Sequence, residues 1–126
     1  MSFRCPSCET ADSLKIVSAL ELPPDVRSDE ITLQIVRCTG CGFRGAAVYE
    51  ESRRGSLDSE SWHHDGYYVD ESDLNLLISI MGHCPTPDND ECRCPAHRLL
   101  GQTNDQSVWY FPGWIKTQGM FALIRR

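Results

Sequence analysis

"EITLQIVRCTGCGFRGAAVYEE", residues 30–51, decides how the first half of this chain folds. Its opening run, Glu30 to Cys38, is rich in β-branched residues and alternates with period two, placing Ile31, Leu33 and Ile35 on one face of a strand. Cys38-Thr39-Gly40-Cys41-Gly42 then forces a tight turn, and "FRGAAVYEE" (Phe43 to Glu51) reads as a returning strand. Upstream, "SLKIVSALEL" (Ser13 to Leu22) is a further strand-like run. It is separated from Glu30 by "PPDVRSD", a turn or loop, because Pro23 and Pro24 cannot take part in a central ladder.

A second C-x2-C pair, Cys5-Pro6-Ser7-Cys8, precedes the first strand-like run, with 29 residues between Cys8 and Cys38. The order is therefore knuckle, strand, strand, knuckle, strand. Two cysteines three apart fit around one tetrahedral ion when the chain turns tightly between them. Gly42 can take a positive φ, letting backbone N–H groups point at the sulfurs, and Pro6 stiffens the first turn without removing a needed donor. Four thiolates close such a site, which makes it structural rather than catalytic. A redox C-x2-C of the thioredoxin kind needs a strand before the pair and a helix after it, and neither pair has that context. Over roughly residues 3 to 51 these motifs resemble the zinc-ribbon superfamily. The resemblance implies Cys5, Cys8, Cys38 and Cys41 as zinc ligands and implies no activity, because the superfamily spans transcription, ribosomal, replication and docking proteins.

The second dense stretch is "HCPTPDNDECRCPAH", His83 to His97, with three cysteines, two histidines and three prolines. Cys94 and His97 have the spacing of a knuckle with imidazole in place of a thiolate. Cys84 and Cys92 close the other two corners, and the polar loop "PTPDNDE" is long enough for the chain to return. With four of seven cysteines assigned to the ribbon, the remaining three all fall here, so two zinc ions use every cysteine. His83 competes with His97 or Cys84 as a ligand. An iron–sulfur cluster is a further reading, as is an open catalytic zinc site with Asp90 or Glu91 as base. H-E-x-x-H and the H-x-E…P-C-x-x-C deaminase signature are both missing.

Between these regions, "SRRGSLDSESWHHDGYY" (Ser52 to Tyr68) is polar and aperiodic and predicts a long loop whose Trp62, Tyr67 and Tyr68 cover the ribbon's small core. His63 and His64 point to opposite sides of an extended segment, so at most one reaches a given ion. A single helix follows, capped by Asp70 and ended by Gly82. Leu74, Leu77, Ile78 and Met81 form one apolar face that Leu76 and Ile80 widen. The C-terminus, "SVWYFPGWIKTQGMFALIRR", predicts a hairpin of strands Ser107 to Phe111 and Met120 to Ile124, with Trp109, Phe111, Trp114 and Phe121 as core bulk.

The expected fold is a small metal-stabilised α+β unit. It comprises a three-stranded antiparallel zinc ribbon over 1–57, then a helix, second zinc site and C-terminal hairpin over 58–126, packed as one compact body. At 126 residues the chain has room for a modest core only. Net charge is −6, split as −1 over 1–57, −6 over 58–82 and +1 over 83–126. That acidic middle disfavours a general phosphate-backbone binder, although Arg37, Arg44, Arg53 and Arg54 can form a local basic patch. No apolar run exceeds "LLISIM" and the N-terminus carries no apolar leader, so a cytoplasmic location is expected, where seven cysteines are metal ligands rather than disulfides. The functional expectation is a non-catalytic two-zinc adaptor or subunit with a protein partner. The alternatives are a nucleic-acid-binding ribbon and a metalloenzyme using the second site.

Overall fold

The computed structural model describes residues 2–52 and 61–125. Six strands form one antiparallel sheet in sequence order: β1 (Ser2–Phe3), β2 (Leu14–Leu22), β3 (Glu30–Cys38), β4 (Arg44–Ser52), β5 (Ser61–Val69) and β6 (Thr117–Ala122). Between β5 and β6 lie helices α1 (Glu71–Gly82) and α2 (Pro95–Leu100). The three ribbon strands occur where the sequence placed them, as β2, β3 and β4.

They do not stand alone, however. The segment expected to be a loop supplies β5, whose register pairs Glu50 with His63 and Ala46 with Tyr67. Its polar sequence hid the strand because strand pairing uses backbone groups, and its side chains face half-exposed surfaces rather than a dry core. The expected hairpin is also absent among the described residues. β6 pairs with β5, Gly66 opposite Phe121, while Ser107 to Phe111 forms only an isolated bridge between Thr103 and Trp109. The architecture is thus a six-stranded sheet with two helices, not a three-stranded ribbon with one.

The sheet curls until its ends meet. Arg4 beyond β1 donates its N–H to the Ile124 carbonyl beyond β6 at 2.6 Å, although β1 and β6 are at opposite ends of the strand order. Curling gives the sheet an inner and an outer face. The inner face packs Phe3, Leu14, Val36, Ala47 and Phe121 around Cys5 and Cys38. On the outer face Leu20, Leu22, Ile31, Leu33, Ile35, Ala46 and Val48 meet the helices. β3 is therefore buried on both sides, Ile31, Leu33 and Ile35 outward and Thr32, Gln34 and Val36 inward.

Helix α1 lays Leu74, Leu77 and Met81 on the outer face, each worth about 1.5–3 kcal/mol of burial. Leu76 is half exposed rather than part of a wider buried face, because the sheet covers one side of the helix only. Asp70 occupies the N-cap position but spends its carboxylate on the Ser72 hydroxyl at 2.6 Å instead of capping the helix. The helix runs through Gly82, with His83 as C-cap. Asp73 takes the Lys116 N–H at 2.8 Å, fixing α1 to the approach of β6.

Trp109 completes the outer cover. Its indole N–H donates to the Leu100 carbonyl at 2.8 Å, and its backbone N–H donates to Asp25 Oδ2 at 2.7 Å. Asp25 also accepts the N–H groups of Arg27 and Ser28 at 2.8 and 2.7 Å. Burial alone raises its pKa, but the Trp109, Ser28 and Arg27 N–H donors outweigh that and hold the carboxyl below its usual range. Asp25→Ala should therefore destabilise the fold by about 1–3 kcal/mol at neutral pH by freeing the Trp109 segment. A carboxylate depressed in the folded state stabilises fully above its unfolded pKa of about 3.9 and loses that contribution as pH falls through the folded value. Denaturation curves of wild type and Asp25→Ala should accordingly converge in acid.

Phe121 packs against Gly66, and a Cβ at position 66 would clash with its ring. Phe43, Tyr68 and Phe121 pack edge-on or tilted around it at centroid separations of 5.0 to 5.9 Å. Gly66→Ala should cost about 1–3 kcal/mol, read as a lower thermal midpoint, because that ring has no free space to enter. Gly113→Ala, where a Cβ meets nothing within 4 Å, should be nearly neutral.

Candidate metal centres

The cysteines that alternate along the sequence converge in space. Cys5, Cys8, Cys38 and Cys41 offer four sulfurs, and Cys84, Cys92, Cys94 and His97 offer three sulfurs and an imidazole nitrogen. Within each group all ligand atoms lie within 4.8 Å of one another. All seven cysteines are free thiols, without a disulfide.

In the first group, the 5–8 turn and the 38–42 turn face each other across β2 and β3. Leu14 opposite Cys38 in the ladder places both knuckles at the same end of the sheet. Cys5 Sγ stands 3.6 Å from Cys41 Sγ, and Cys8 Sγ 3.7 Å from Cys38 Sγ. Four thiolates at about 2.3 Å from one ion are separated by about 3.8 Å, so the donors fit a tetrahedral shell. Each turn aims two N–H groups at its first sulfur: Ser7 and Cys8 at Cys5, at 3.4 and 3.5 Å, and Gly40 and Cys41 at Cys38, at 3.3 and 3.4 Å. Gly42 takes the expected positive φ, at 79°. The group is asymmetric in burial, with Cys5 and Cys38 inside and Cys8 and Cys41 exposed.

The thiols also differ in acidity. Burial pushes Cys5 up to about 11. The Ser13 hydroxyl, 3.3 Å away, and then the Cys41 N–H pull Cys38 down to about 5. The Thr10 hydroxyl, 3.4 Å from its sulfur, lowers Cys8. A thiolate at Cys38 and a thiol at Cys5 form a mixed set that a cation converts to four thiolates by displacing protons.

The second group hangs between the helices. Cys84 follows the C-cap of α1 and is buried, while Cys94 is the N-cap of α2 and accepts the His97 N–H on its sulfur at 3.4 Å. The Cys94-x2-His97 knuckle is therefore a helix start, with Pro95 in the first turn where no N–H is needed. His97 Nδ1 lies 3.2 Å from Cys84 Sγ and 3.4 Å from Cys94 Sγ, and Cys84 and Cys92 sulfurs are 3.9 Å apart. Burial raises Cys84 to about 11, whereas the Thr86 hydroxyl and the Cys94 N–H bring Cys92 down to about 7.

His97, nearly fully buried, carries the decisive detail. Its other nitrogen, Nε2, donates to the Glu21 carbonyl of β2 at 2.8 Å. That bond fixes the tautomer, leaving the Nδ1 lone pair directed at the three sulfurs, the arrangement that orients a metal-ligating histidine. His83 lies outside the group. It is exposed and turns its Nδ1 back to the Ser79 carbonyl at 2.6 Å. His63 and His64 point to opposite faces of β5 as expected, and neither joins a metal group: His63 stands beside Arg27 and Glu50, and His64 beside Gln34.

Asp90 and Glu91 line an open cleft of about 950 Å³ that also reaches Cys92 and His97. Arg37 is exposed, Arg44 is engaged by Asn75 at 2.9 Å and Glu71 at 3.6 Å, and Arg53 and Arg54 lie outside the described residues. Trp62 is 63% exposed and does not cover a core, while Tyr67 and Tyr68 pack onto the two clusters. The supporting residues Ser13, Thr86 and Glu21 carry no sequence signal, because their part is played through a hydroxyl position or a backbone carbonyl.

Compared with known proteins, the chain matches no family model, no curated protein and no solved structure at a significant level. The likeness to zinc ribbons rests on the first cysteine group alone. No helix among the described residues is long and apolar enough to cross a membrane.

The geometry separates the two candidate histidines. His97→Ala should release the metal held by the second group and loosen α2 from β2, seen as loss of metal by elemental analysis and faster amide exchange over 84–100. His83→Ala should keep wild-type metal content. Metal loss in His83→Ala with retention in His97→Ala would reverse the ligand assignment.

Proposed function

We propose that the chain is a non-catalytic zinc protein in which two structural zinc ions, one bound by four cysteines and one by three cysteines and His97, fix a surface that serves as an adaptor or subunit for a protein partner. The supporting observation is that each ligand set is complete in itself. Four protein donors sit at tetrahedral spacing in each group, so both shells close without water or substrate. Thiolates with one imidazole suit zinc, whose filled d-shell imposes no other geometry. Each group also joins segments distant in the chain: the two knuckles at one end of the sheet, and the two helices with β2. The metal serves architecture, which leaves the surface to do the biochemical work. Large apolar side chains such as Val17, Trp62, Leu76 and Met120 stand half exposed or more and are available for contact.

Purified protein should hold two zinc ions per chain. X-ray absorption should show sulfur and nitrogen donors only, averaging seven sulfurs to one nitrogen over the two sites. Cys8→Ser and Cys92→Ser should each retain one ion. An oxygen donor on either zinc that exchanges with added azide or a hydroxamate would favour a hydrolytic centre at the second group instead. A single ion per chain would overturn the two-site reading.

A further inference from the structure

The curl leaves the inner face of the sheet only partly filled. The knuckle end is packed by the Phe43, Tyr68 and Phe121 cluster. The opposite end opens as a cup of about 600 Å³ that no metal ligand touches. We propose that this cup binds a small organic cation bearing N–H groups, an ammonium carried on an apolar or aromatic body.

The size and lining fit a small-molecule site in the mouth of a barrel-like sheet. Its walls are apolar: Phe3, Ile16, Leu123 and the exposed indole of Trp62. Its polar groups converge from the inward positions of four strands, Glu21, Thr32, Gln34, Tyr49 and His64 among them. The hydroxyl and imidazole hydrogens among them are already committed. The Thr32 hydroxyl donates to Glu21 Oε1 at 2.8 Å, the Tyr49 hydroxyl donates to Glu51 Oε2 at 2.9 Å, and His64 Nε2 donates to Gln34 Oε1 at 2.6 Å. A hydroxyl facing a carboxylate has no alternative but to donate, and burial lowers the His64 pKa, so the ring is neutral at pH 7 with one hydrogen to give.

Beside the N–H groups of Gln34, Trp62 and Arg125, the cup offers lone pairs. Glu21 keeps its second carboxylate oxygen, and Thr32 Oγ1 keeps its acceptor capacity. Glu21 and Glu30 against Arg125 give the lining a formal charge of −1. An anionic ligand would be opposed by that net charge, and a purely apolar one would bury the remaining carboxylate oxygen of Glu21 without a donor. A cation with N–H hydrogens matches the acceptors, and Trp62 offers an aromatic face to it or to its apolar body.

The test uses the zinc-loaded full chain, with phenethylammonium as probe and 3-phenylpropionate as an anion of the same shape, followed by amide and indole NMR. Phenethylammonium should shift Trp62, Gln34 and His64 saturably, with a Kd of about 0.01–1 mM that rises with salt. Phenylpropionate should leave those signals unmoved. Glu21→Gln retains an acceptor for Thr32 and leaves the backbone that meets His97 intact, yet should weaken the probe about tenfold, one lost charge-assisted hydrogen bond. Trp62→Ala, at an exposed position, should weaken it too without moving the thermal midpoint. Equal shifts from the anion, shifts that map away from the cup, or no saturation at about 10 mM probe would overturn the proposal. Because the probe is read with both metal sites filled, failure here leaves the two-zinc reading untouched.

Discussion

Glu21 is where the second cysteine segment is tied to the sheet. Its carbonyl accepts His97 Nε2 at 2.8 Å and its N–H donates to the Pro87 carbonyl at 2.7 Å, so both outward-facing backbone groups of this β2 residue end on the second cysteine segment. β2 pairs with β1 only at Lys15 and Leu14, and beyond them its edge would otherwise stand open. The second centre closes that edge at Glu21 and brings α1 and α2 onto the outer face in the same step. Imidazole is the one common side chain that can bind a metal through one nitrogen and donate a hydrogen bond through the other. A fourth cysteine at position 97 would fill the shell and lose the attachment.

The two candidate centres do different mechanical work. The first gathers two turns at one end of the curled sheet and buries Cys5 and Cys38 in the inner cluster. The second sits in a polar loop rich in proline and acidic residues, too short of apolar side chains to hold itself in place. A bound metal ion would supply there what burial cannot, since each ordered residue costs on the order of 1–2 kcal/mol in backbone entropy. Cys84 belongs to the outer cluster and Cys92 and Cys94 pack against it, so a metal held there would continue the hydrophobic cover.

Filling the outer face with α1, α2 and Trp109 leaves the inner face to be served by side chains of the sheet alone. The ring of Phe121 against Gly66 closes the knuckle end, and among the described residues nothing comparable fills the other, where Thr32, Gln34 and His64 form a polar floor. Polar groups buried in this way are tolerated because each is hydrogen-bonded, and no buried side-chain nitrogen or oxygen among the described residues lacks a partner. The cup is thus a consequence of the same asymmetry that places both helices on the outer face.

The sequence by itself determined the strands β2, β3 and β4, helix α1 and which cysteines fall in each group. Ile31, Leu33 and Ile35 alternate, Leu74, Leu77 and Met81 recur at helical spacing, and C-x2-C and C-x2-H are short-range geometry that the local chain enforces. Only the tertiary structure decided the rest. β5 is polar and its pairing is a backbone matter, so Trp62, His63 and His64 gave no strand signal. β6 finds its partner across nearly fifty residues rather than in an adjacent hairpin strand, and the choice of His97 over His83 depends on a carbonyl of β2 seventy-six residues away. Patterns of side chains are written along the chain, whereas the pairing of backbone groups distant in sequence is settled only when the sheet curls and its edges must be satisfied.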